Sequence, residues 1–574
     1  MLDVTDRSGP ARAGKWSSGQ TKVEFPNILF RSSALFPPPR YAELTVTGQE
    51  RVEVRGAGDE VLAGFQHDIV RPLDAYREAA VAEEGSNAVV VRGRPNGPLA
   101  DGAGELVVMG NAFELRRDAR AFVETAVALR EAAGHGRLIY APGIMEPSNL
   151  AMLAYMGIDL FDSTLPLYQS VRGRVLLPEG TVSVDSAPWL AGREGAEAQN
   201  LEAVWKELML VRHMVRIGRL RELVETRVTA SPWMVAALRI LDLEHYRHQE
   251  KRTPVVGPRF YCNSKSSLTR PDVQRFRRRV AERWRPAPHK KVLLLIPCSA
   301  KKPYFTSRSH RIFEEVLLSV PNSCAVQELI VTSPLGTVPR ELELFYPAQQ
   351  YDIPVTGNWD REEVRMVQDL IVHAASFGFT RVISHLGAES EFVGEVVDCV
   401  DTTQGMGTTA PEALERMRRE LAAACEAAEK APRAADRVEM LRSQARYQFG
   451  EDGGSLLDGC TVVGKYPYLK FLRGSAQLGM LTPERGMLSL TMDGGAVLLE
   501  RDLNVVHMGD FDLGGNLFAV GITAADPRIR PGDEVAISRN GELEGVGVAV
   551  MSGDEMAEAR RGEAVRVRHK NKRK

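Results

Sequence analysis

Between an aliphatic run, Val292 to Ile296, and a helical pattern at Ile312-Phe313-Val316-Leu317 lies the stretch Pro297-Cys298-Ser299-Ala300-Lys301-Lys302-Pro303-Tyr304-Phe305-Thr306-Ser307-Arg308-Ser309-His310. One short loop therefore carries a thiol (Cys298), two ammonium groups (Lys301, Lys302), two hydroxyls (Tyr304, Ser307) and an imidazole (His310). A thiol near cations and an imidazole is expected to have a lowered pKa and to attack electrophiles. Taken alone, Cys298 is also what a small buried hydrophobe after a strand looks like. The six polar groups together favour a reactive or binding loop.

Such a loop needs a sheet to hold it. Val292 to Ile296, Val326 to Thr332 and Arg381 to His385 read as strands. Helices are expected near Ile312 to Leu318 and over Arg361 to Ala375. Strands alternating with helices give a parallel α/β sheet, and ligands bind outside the carboxyl ends of its strands. This second α/β domain is expected over 286–432, ending after a charged helix, Ala410 to Lys430.

Upstream, residues 1–285 show the same rhythm, with strands at Leu106 to Met109 and Arg137 to Tyr140 around a helix from Ala119 to Ala133. Leu201 to His248 reads as helical and Arg-rich. The basic cluster Arg275 to Arg279 reads as a solvated helix face or a phosphate contact, before a linker at Pro286 and Pro288. Downstream, 433–495 is expected to be a small α+β module. Residues 496–574 alternate short strands with turns such as Pro531-Gly532-Asp533 and Asn540-Gly541, which reads as a small β-barrel with a basic end, Arg566 to Lys574. The fold class is thus α/β and multidomain.

At 574 residues the chain is too long for one core. A net charge of −2 excludes a general polycation, so any nucleic-acid surface must be local. Six scattered Cys make neither a disulfide framework nor a CxxC metal site, and point to a reducing compartment. The opening residues lack a signal pattern and the aliphatic runs are too short for a bilayer, so the expected location is the cytoplasm, without membrane contact. Gly459-Cys460-Thr461-Val462-Val463-Gly464-Lys465 fits GxxxxGK, but Tyr466 replaces the Ser/Thr and the interior reads as a strand. No cofactor is demanded by the sequence.

Several segments resemble known families. Leu2 to Gly14 and Phe25-Pro26-Asn27 resemble the opening of archaeal tRNA-guanine transglycosylases, and Gly157 to Ser163 resembles their nucleophile segment, placing Asp162 at the nucleophile position. The resemblance implies a degenerate TIM-type (β/α)8 transglycosylase-like barrel over 1–285. Two departures imply that it does not exchange bases. Met109-Gly110-Asn111-Ala112-Phe113-Glu114 lacks the family's second Asp, and near the expected CxCxxC zinc cluster only Cys262 stands, so zinc is not expected. Asp162 then has a base-binding or vestigial role, or merely caps a turn. Phe518 to Gly521, Ala525-Asp526-Pro527, Ile529 to Val535 and Met551-Ser552-Gly553 resemble a PUA domain. That likeness implies tRNA binding through the C-terminal barrel, with Gly521, Arg530, Arg566, Arg568 and Lys570 as the candidate RNA contacts.

Written PC-x₃-KPY-x₂-S-x₂-H, the 297–310 loop is similar to the signature of the archaeosine synthase family. The resemblance covers essentially the whole chain. It implies an archaeal enzyme that adds lysine, as co-substrate, to the nitrile of 7-cyano-7-deazaguanine in the tRNA D-loop, with a radical SAM lyase partner completing archaeosine. A homodimer is also implied by the transglycosylase relatives. On this reading Cys298 adds to the nitrile carbon, or the amine attacks directly while Cys298 merely packs, and His310 is the general base. Lys301 or Lys302 lowers the thiol pKa or contacts carboxylate or phosphate, and Tyr304 and Ser307 donate to the developing nitrogen anion. Two rivals stand beside it: a base-exchanging transglycosylase, and a non-catalytic tRNA-binding subunit.

Overall fold

Ala88–Arg92 and Leu106–Met109 are nearly unbroken aliphatic runs, the pattern of parallel strands covered on both faces, and both are buried along their whole length. The computed structural model describes residues 2–18, 20–56, 60–65, 81–85, 87–100, 104–192 and 195–571. It divides into two units. The first comprises Met1–Pro254, Phe518–Val520 and Asp554–Ala564; the second comprises Val255–Leu517, Gly521–Gly553 and Val565–Lys574.

In the first unit, β1 (Leu2–Ser8), β2 (Ala11–Ser18) and β3 (Thr21–Phe25) form an antiparallel sheet, the expected opening hairpin extended by one strand. A nine-stranded sheet follows from β4 (Asn27–Arg31), β5 (Leu44–Val46), β6 (Arg51–Val54), β7 (Val61–Gly64), β8 (Val81–Glu84), β9 (Ala88–Arg92), β10 (Leu106–Met109), β11 (Leu138–Tyr140) and β12 (Leu160–Asp162). Its order is β7-β6-β5-β4-β12-β11-β10-β9-β8. From β9 across to β5 the neighbours are parallel, whereas β6, β7 and β8 pair antiparallel.

The two edges of this sheet approach each other. Asn87 Nδ2 donates to the Leu62 carbonyl at 3.1 Å, and Gly85 lies so close to the Gly64 carbonyl that a Cβ would not fit. The result is a nearly closed barrel whose repeat is degenerate, because antiparallel strands replace β/α units between β5 and β9. Helix Ala119–Ala133 links β10 to β11, as the spacing of Phe122, Ala126 and Leu129 predicts. The expected helical stretch 201–248 is four helices, Gly195–Arg216, Leu220–Arg227, Pro232–Glu244 and Tyr246–Glu250. A hairpin, β13 (Arg174–Leu177) with β14 (Gly180–Ser183), completes this unit.

The second unit is built on β16 (Val292–Pro297), β17 (Val326–Thr332), β18 (Gly336–Pro339), β20 (Arg381–Ser384) and β21 (Val400–Asp401), in the order β18-β17-β16-β20-β21. β17, β16, β20 and β21 are parallel, and β18 is an antiparallel edge. A two-stranded pair, β15 (Phe260–Tyr261) with β19 (Tyr351–Asp352), lies in the same unit. The chain leaves β16 for β17 on one side and later returns to β20 on the other. The carboxyl end of β16 is therefore a topological switch point.

The division between units falls after Pro254 rather than at 285, because Val273, Phe276 and Trp284 are buried in the same core as Val292 to Ile296. The Arg275 to Arg279 cluster is accordingly solvated only in part, with Arg278 exposed. Arg275 is buried, and Arg277 donates to the carbonyls of Leu268 and Pro334 at 2.7 and 2.9 Å.

Further along, β22 (Cys460–Lys465), β23 (Tyr468–Arg473), β24 (Ala476–Thr482) and β25 (Met487–Leu490) make an antiparallel sheet with helices Arg433–Phe449 and Met492–Glu500. The GxxxxGK match thus falls on strand β22 rather than on a loop. A C-terminal sheet takes in β26 (Val505–Met508), β27 (Leu517–Phe518), β28 (Ile522–Ala525), β29 (Glu534–Arg539), β30 (Glu542–Ala549) and β31 (Glu563–Lys570). The basic end expected as a tail is strand β31 up to Lys570, and residues 572–574 lie outside the described residues. Among the described residues no helix is long and apolar enough to cross a membrane.

Candidate active site

Val292 to Ile296 are buried on both faces of the central strand, and register with β17 persists to Pro297. The Cys298 N–H donates to the Val331 carbonyl at 3.2 Å, which leaves Cys298 beside Thr332, the last residue of β17. After a turn over Tyr304–Thr306, Ser307 caps helix Arg308–Ser319, its Oγ accepting the His310 N–H at 3.3 Å.

Of the six loop residues, the structure gathers Cys298, Lys302, Tyr304 and His310. Lys302 Nζ lies 4.0 Å from the Tyr351 ring centroid and 5.7 Å from that of Tyr304. The Tyr304 and His310 rings stack at 5.4 Å, 25° from parallel. Lys301 is exposed, and Ser307 is occupied as a helix cap.

The electrostatics depart from the expected resting thiolate. Burial pushes the Cys298 thiol above its ordinary value. A hydrogen bond from the Thr332 hydroxyl and the Lys302 ammonium pull the other way, while Glu389 adds to the rise. Burial likewise lowers Lys302, opposed by Cys298 and Asp352, and makes its ammonium a better acid than an exposed one.

His310 does not fit the general-base role. Burial, helped by Arg340, lowers its imidazole to about 3, against a weaker pull from the Pro297 carbonyl. Arg340 Nη2 donates to Nδ1 at 2.8 Å, and since guanidinium only donates, the ring proton sits on Nε2. Arg340 is itself held by Glu328 at 2.7 Å and by Glu343 at 3.3 Å. The fully buried Glu343 also accepts from the Phe305 N–H at 2.9 Å and the Tyr466 hydroxyl at 3.0 Å. His310 is a fixed neutral wall of the site.

Tyr304 is buried, and its hydroxyl is 2.5 Å from that of Tyr351, which in turn meets Thr332 Oγ1 at 2.5 Å. Burial raises both phenols, so they remain protonated donors. Thr332, Tyr351, Arg340 and Glu389 were not singled out from the sequence. Thr332 ends one parallel strand and Glu389 follows another, a signal that strand-end reasoning could have used. Nothing in the local sequence marks Tyr351 or Arg340.

In the first unit, Asp162 ends β12 and is completely buried. Its Oδ2 accepts from the Tyr140 hydroxyl at 2.6 Å and the Gly143 N–H at 2.9 Å; its Oδ1 accepts from the Thr164 N–H at 2.7 Å. Three donors leave this carboxylate a structural tie and turn cap, not a presented nucleophile. Asn111, in the segment lacking the transglycosylase Asp, is also buried, and its Oδ1 faces the Gly93 N–H at 3.4 Å.

The C-terminal candidates separate too. Arg568 pairs with Glu534, which is almost completely buried and which Arg485 also reaches at 3.4 Å. Arg530 folds back onto its own turn, donating to the Pro527 carbonyl at 2.9 Å. Lys570 Nζ donates to the Leu513 and Gly514 carbonyls at 3.1 and 2.5 Å. Gly521 lets Phe511 pack where a Cβ would come within 2.6 Å of its ring. Arg566 is exposed on β31.

Comparison with known proteins bears on both regions. A family model described as a domain of unknown function, DUF5591, matches residues 273–421, and a PUA domain model matches 511–570. The chain is 33% identical to the archaeosine synthase subunit alpha of Methanosarcina acetivorans, covering 100% of this chain and 99% of the relative. It is 30% identical to the archaeosine synthase of Haloferax volcanii, over 99% of each. It is 28% identical to the tRNA-guanine(15) transglycosylase of Methanothermobacter thermautotrophicus, over 74% of this chain and 65% of the relative.

Proposed function

The chain belongs to the archaeosine synthase family, and on that premise we propose that it modifies tRNA by adding lysine to the nitrile of 7-cyano-7-deazaguanine in the D-loop. The observation that supports this reading is the setting of Cys298 at a switch point, beside a half-buried ammonium and a hydroxyl. A free lysine side chain is almost entirely protonated at pH 7, with about one molecule in ~10³ as free base. Both partners therefore need activation.

The thiol of Cys298 adds across the C≡N bond. A C–S bond forms, the π pair moves to nitrogen, and Lys302 supplies the proton that nitrogen takes up, recovering the one the sulfur gives up. The amine then adds to this thioimidate, the C–S bond breaks, and an amidine remains with the thiol regenerated. No ATP is consumed. Glu389, the carboxylate whose charge acts on the thiol, takes the amine proton that His310 was expected to take, and the departing sulfur is reprotonated in turn. His310 and Arg340 shape the wall, and Lys301 faces outward to meet an anionic group of the substrate.

The PUA domain supports tRNA as the partner. The relative named subunit alpha fits a division of labour in which a separate lyase, of the radical SAM type, completes the formamidine. The test is lysine-dependent mass gain on nitrile-bearing tRNA by the isolated chain. No gain with tRNA still bound would leave a binding subunit, and exchange of labelled guanine into unmodified tRNA would favour the transglycosylase instead.

A further inference from the structure

We propose that Thr332, Tyr351 and Tyr304 form a hydroxyl series ending on the Cys298 sulfur, which stabilises the thiolate and so governs when this cysteine reacts. The inference rests on the reading of Cys298 as the reacting group and extends it to residues outside the loop.

Tyr304 OH to Tyr351 OH is 2.5 Å and Tyr351 OH to Thr332 Oγ1 is 2.5 Å. Cys298, its N–H on the Val331 carbonyl at 3.2 Å, follows the Pro297–Val331 pair and so lies beside Thr332, whose hydroxyl acts to lower the thiol. Thr332, Tyr304 and Tyr351 are at most 1% exposed, so water does not compete for these bonds. Thr332 Oγ1 also has the Ser333 carbonyl at 3.0 Å. With the sulfur protonated, Thr332 directs its proton to that carbonyl. With the sulfur charged, it turns the same proton to sulfur, while Tyr351 donates to Thr332 and Tyr304 donates to Tyr351. Three dipoles then point at the anion without movement of a heavy atom. Aligned hydroxyls strengthen one another in a low-dielectric interior.

Burial alone would keep Cys298 neutral, and a single partly offset ammonium acts against it. A switchable donor series suits a group that must be an anion during attack and departure, and neutral otherwise. Tyr351 has a second task, because its ring face holds Lys302 Nζ at 4.0 Å. Thr332 lies beside Cys298 at the ends of adjacent strands; Tyr351 and Tyr304 are positioning residues acting through it.

The experiment is the pH profile of iodoacetamide alkylation at Cys298 in the full chain, read by mass on the peptide containing that residue. A hydrogen bond to a charged group is worth enough to move the midpoint upward by about one pH unit in Thr332→Val, a rate loss of about tenfold near neutrality. Thr332→Ser keeps the hydroxyl and should restore the profile, and Tyr351→Phe should give a smaller upward shift. A Thr332→Val midpoint equal to wild type, in protein whose near-ultraviolet dichroism is unchanged, overturns the proposal. If Thr332→Val misfolds, a Tyr351→Phe profile identical to wild type does so instead. Retention of lysine transfer by Cys298→Ala would defeat the functional reading, whereas the alkylation profile reports the hydroxyl series independently of turnover.

Discussion

Arg340 donates to Nδ1 of His310 at 2.8 Å, so an imidazole that looks like a base in the sequence is held as a neutral hydrogen-bond acceptor. This pairing also gives stability a pH dependence. The ring titrates near 3 in the folded chain and near its ordinary 6.5 when unfolded, so between these values the unfolded state binds more protons. The contribution of His310 is complete above about pH 6.5 and is lost as pH falls toward 3. The Tm gap between wild type and His310→Phe should therefore narrow from pH 7 to pH 4. A gap that does not change with pH would contradict the assignment.

Cys298→Ala and Cys298→Ser should each reduce lysine incorporation into nitrile-bearing tRNA by about 10³-fold or more, as loss of a covalent nucleophile does. Lys302→Met should lower the alkylation rate of Cys298 at neutral pH. Lys301→Ala should leave it unchanged, since its exposed ammonium is not among the groups acting on the thiol. Intact mass of enzyme mixed with the modified tRNA, without lysine, should show the thioimidate adduct.

Asp162→Ala should cost about 2 kcal/mol, because it strands the buried Tyr140 hydroxyl and removes the acceptor of the Gly143 and Thr164 N–H groups. Denaturant unfolding would measure it. Lysine transfer per folded molecule should be retained. Loss of transfer in folded protein would give Asp162 a direct role.

Arg568→Ala should likewise act on stability, by about 2 kcal/mol, since it leaves the buried Glu534 with only part of its compensation, Arg485 and the Leu490 N–H. Thermal melts of the variant, alone and in the double variant with Glu534→Gln, would show partial recovery if the uncompensated carboxylate is the cause. Filter binding of tRNA over a salt series separates this from a phosphate contact, which would reduce the slope by about one.

Continuous aliphatic runs announced the parallel strands, and the positions of Val292 to Ile296 and of helix Ala119–Ala133 could be read directly, because burial on both faces or one helical stripe leaves a periodic mark. The Cys298 loop was legible for the same reason: its groups are contiguous, and contiguity survives folding. What the loop would do was not. Local spacing placed Lys301 beside Lys302 and His310 near a thiol, but the fold turned Lys301 outward, assigned Ser307 to a helix end and locked His310 on Arg340, 30 residues away. The acidity of Cys298 depends on burial, on Lys302 of the loop itself, and on Thr332 and Glu389, brought in by other segments of the chain. Electrostatic environment is a sum over spatial neighbours, and only the tertiary structure decides who they are.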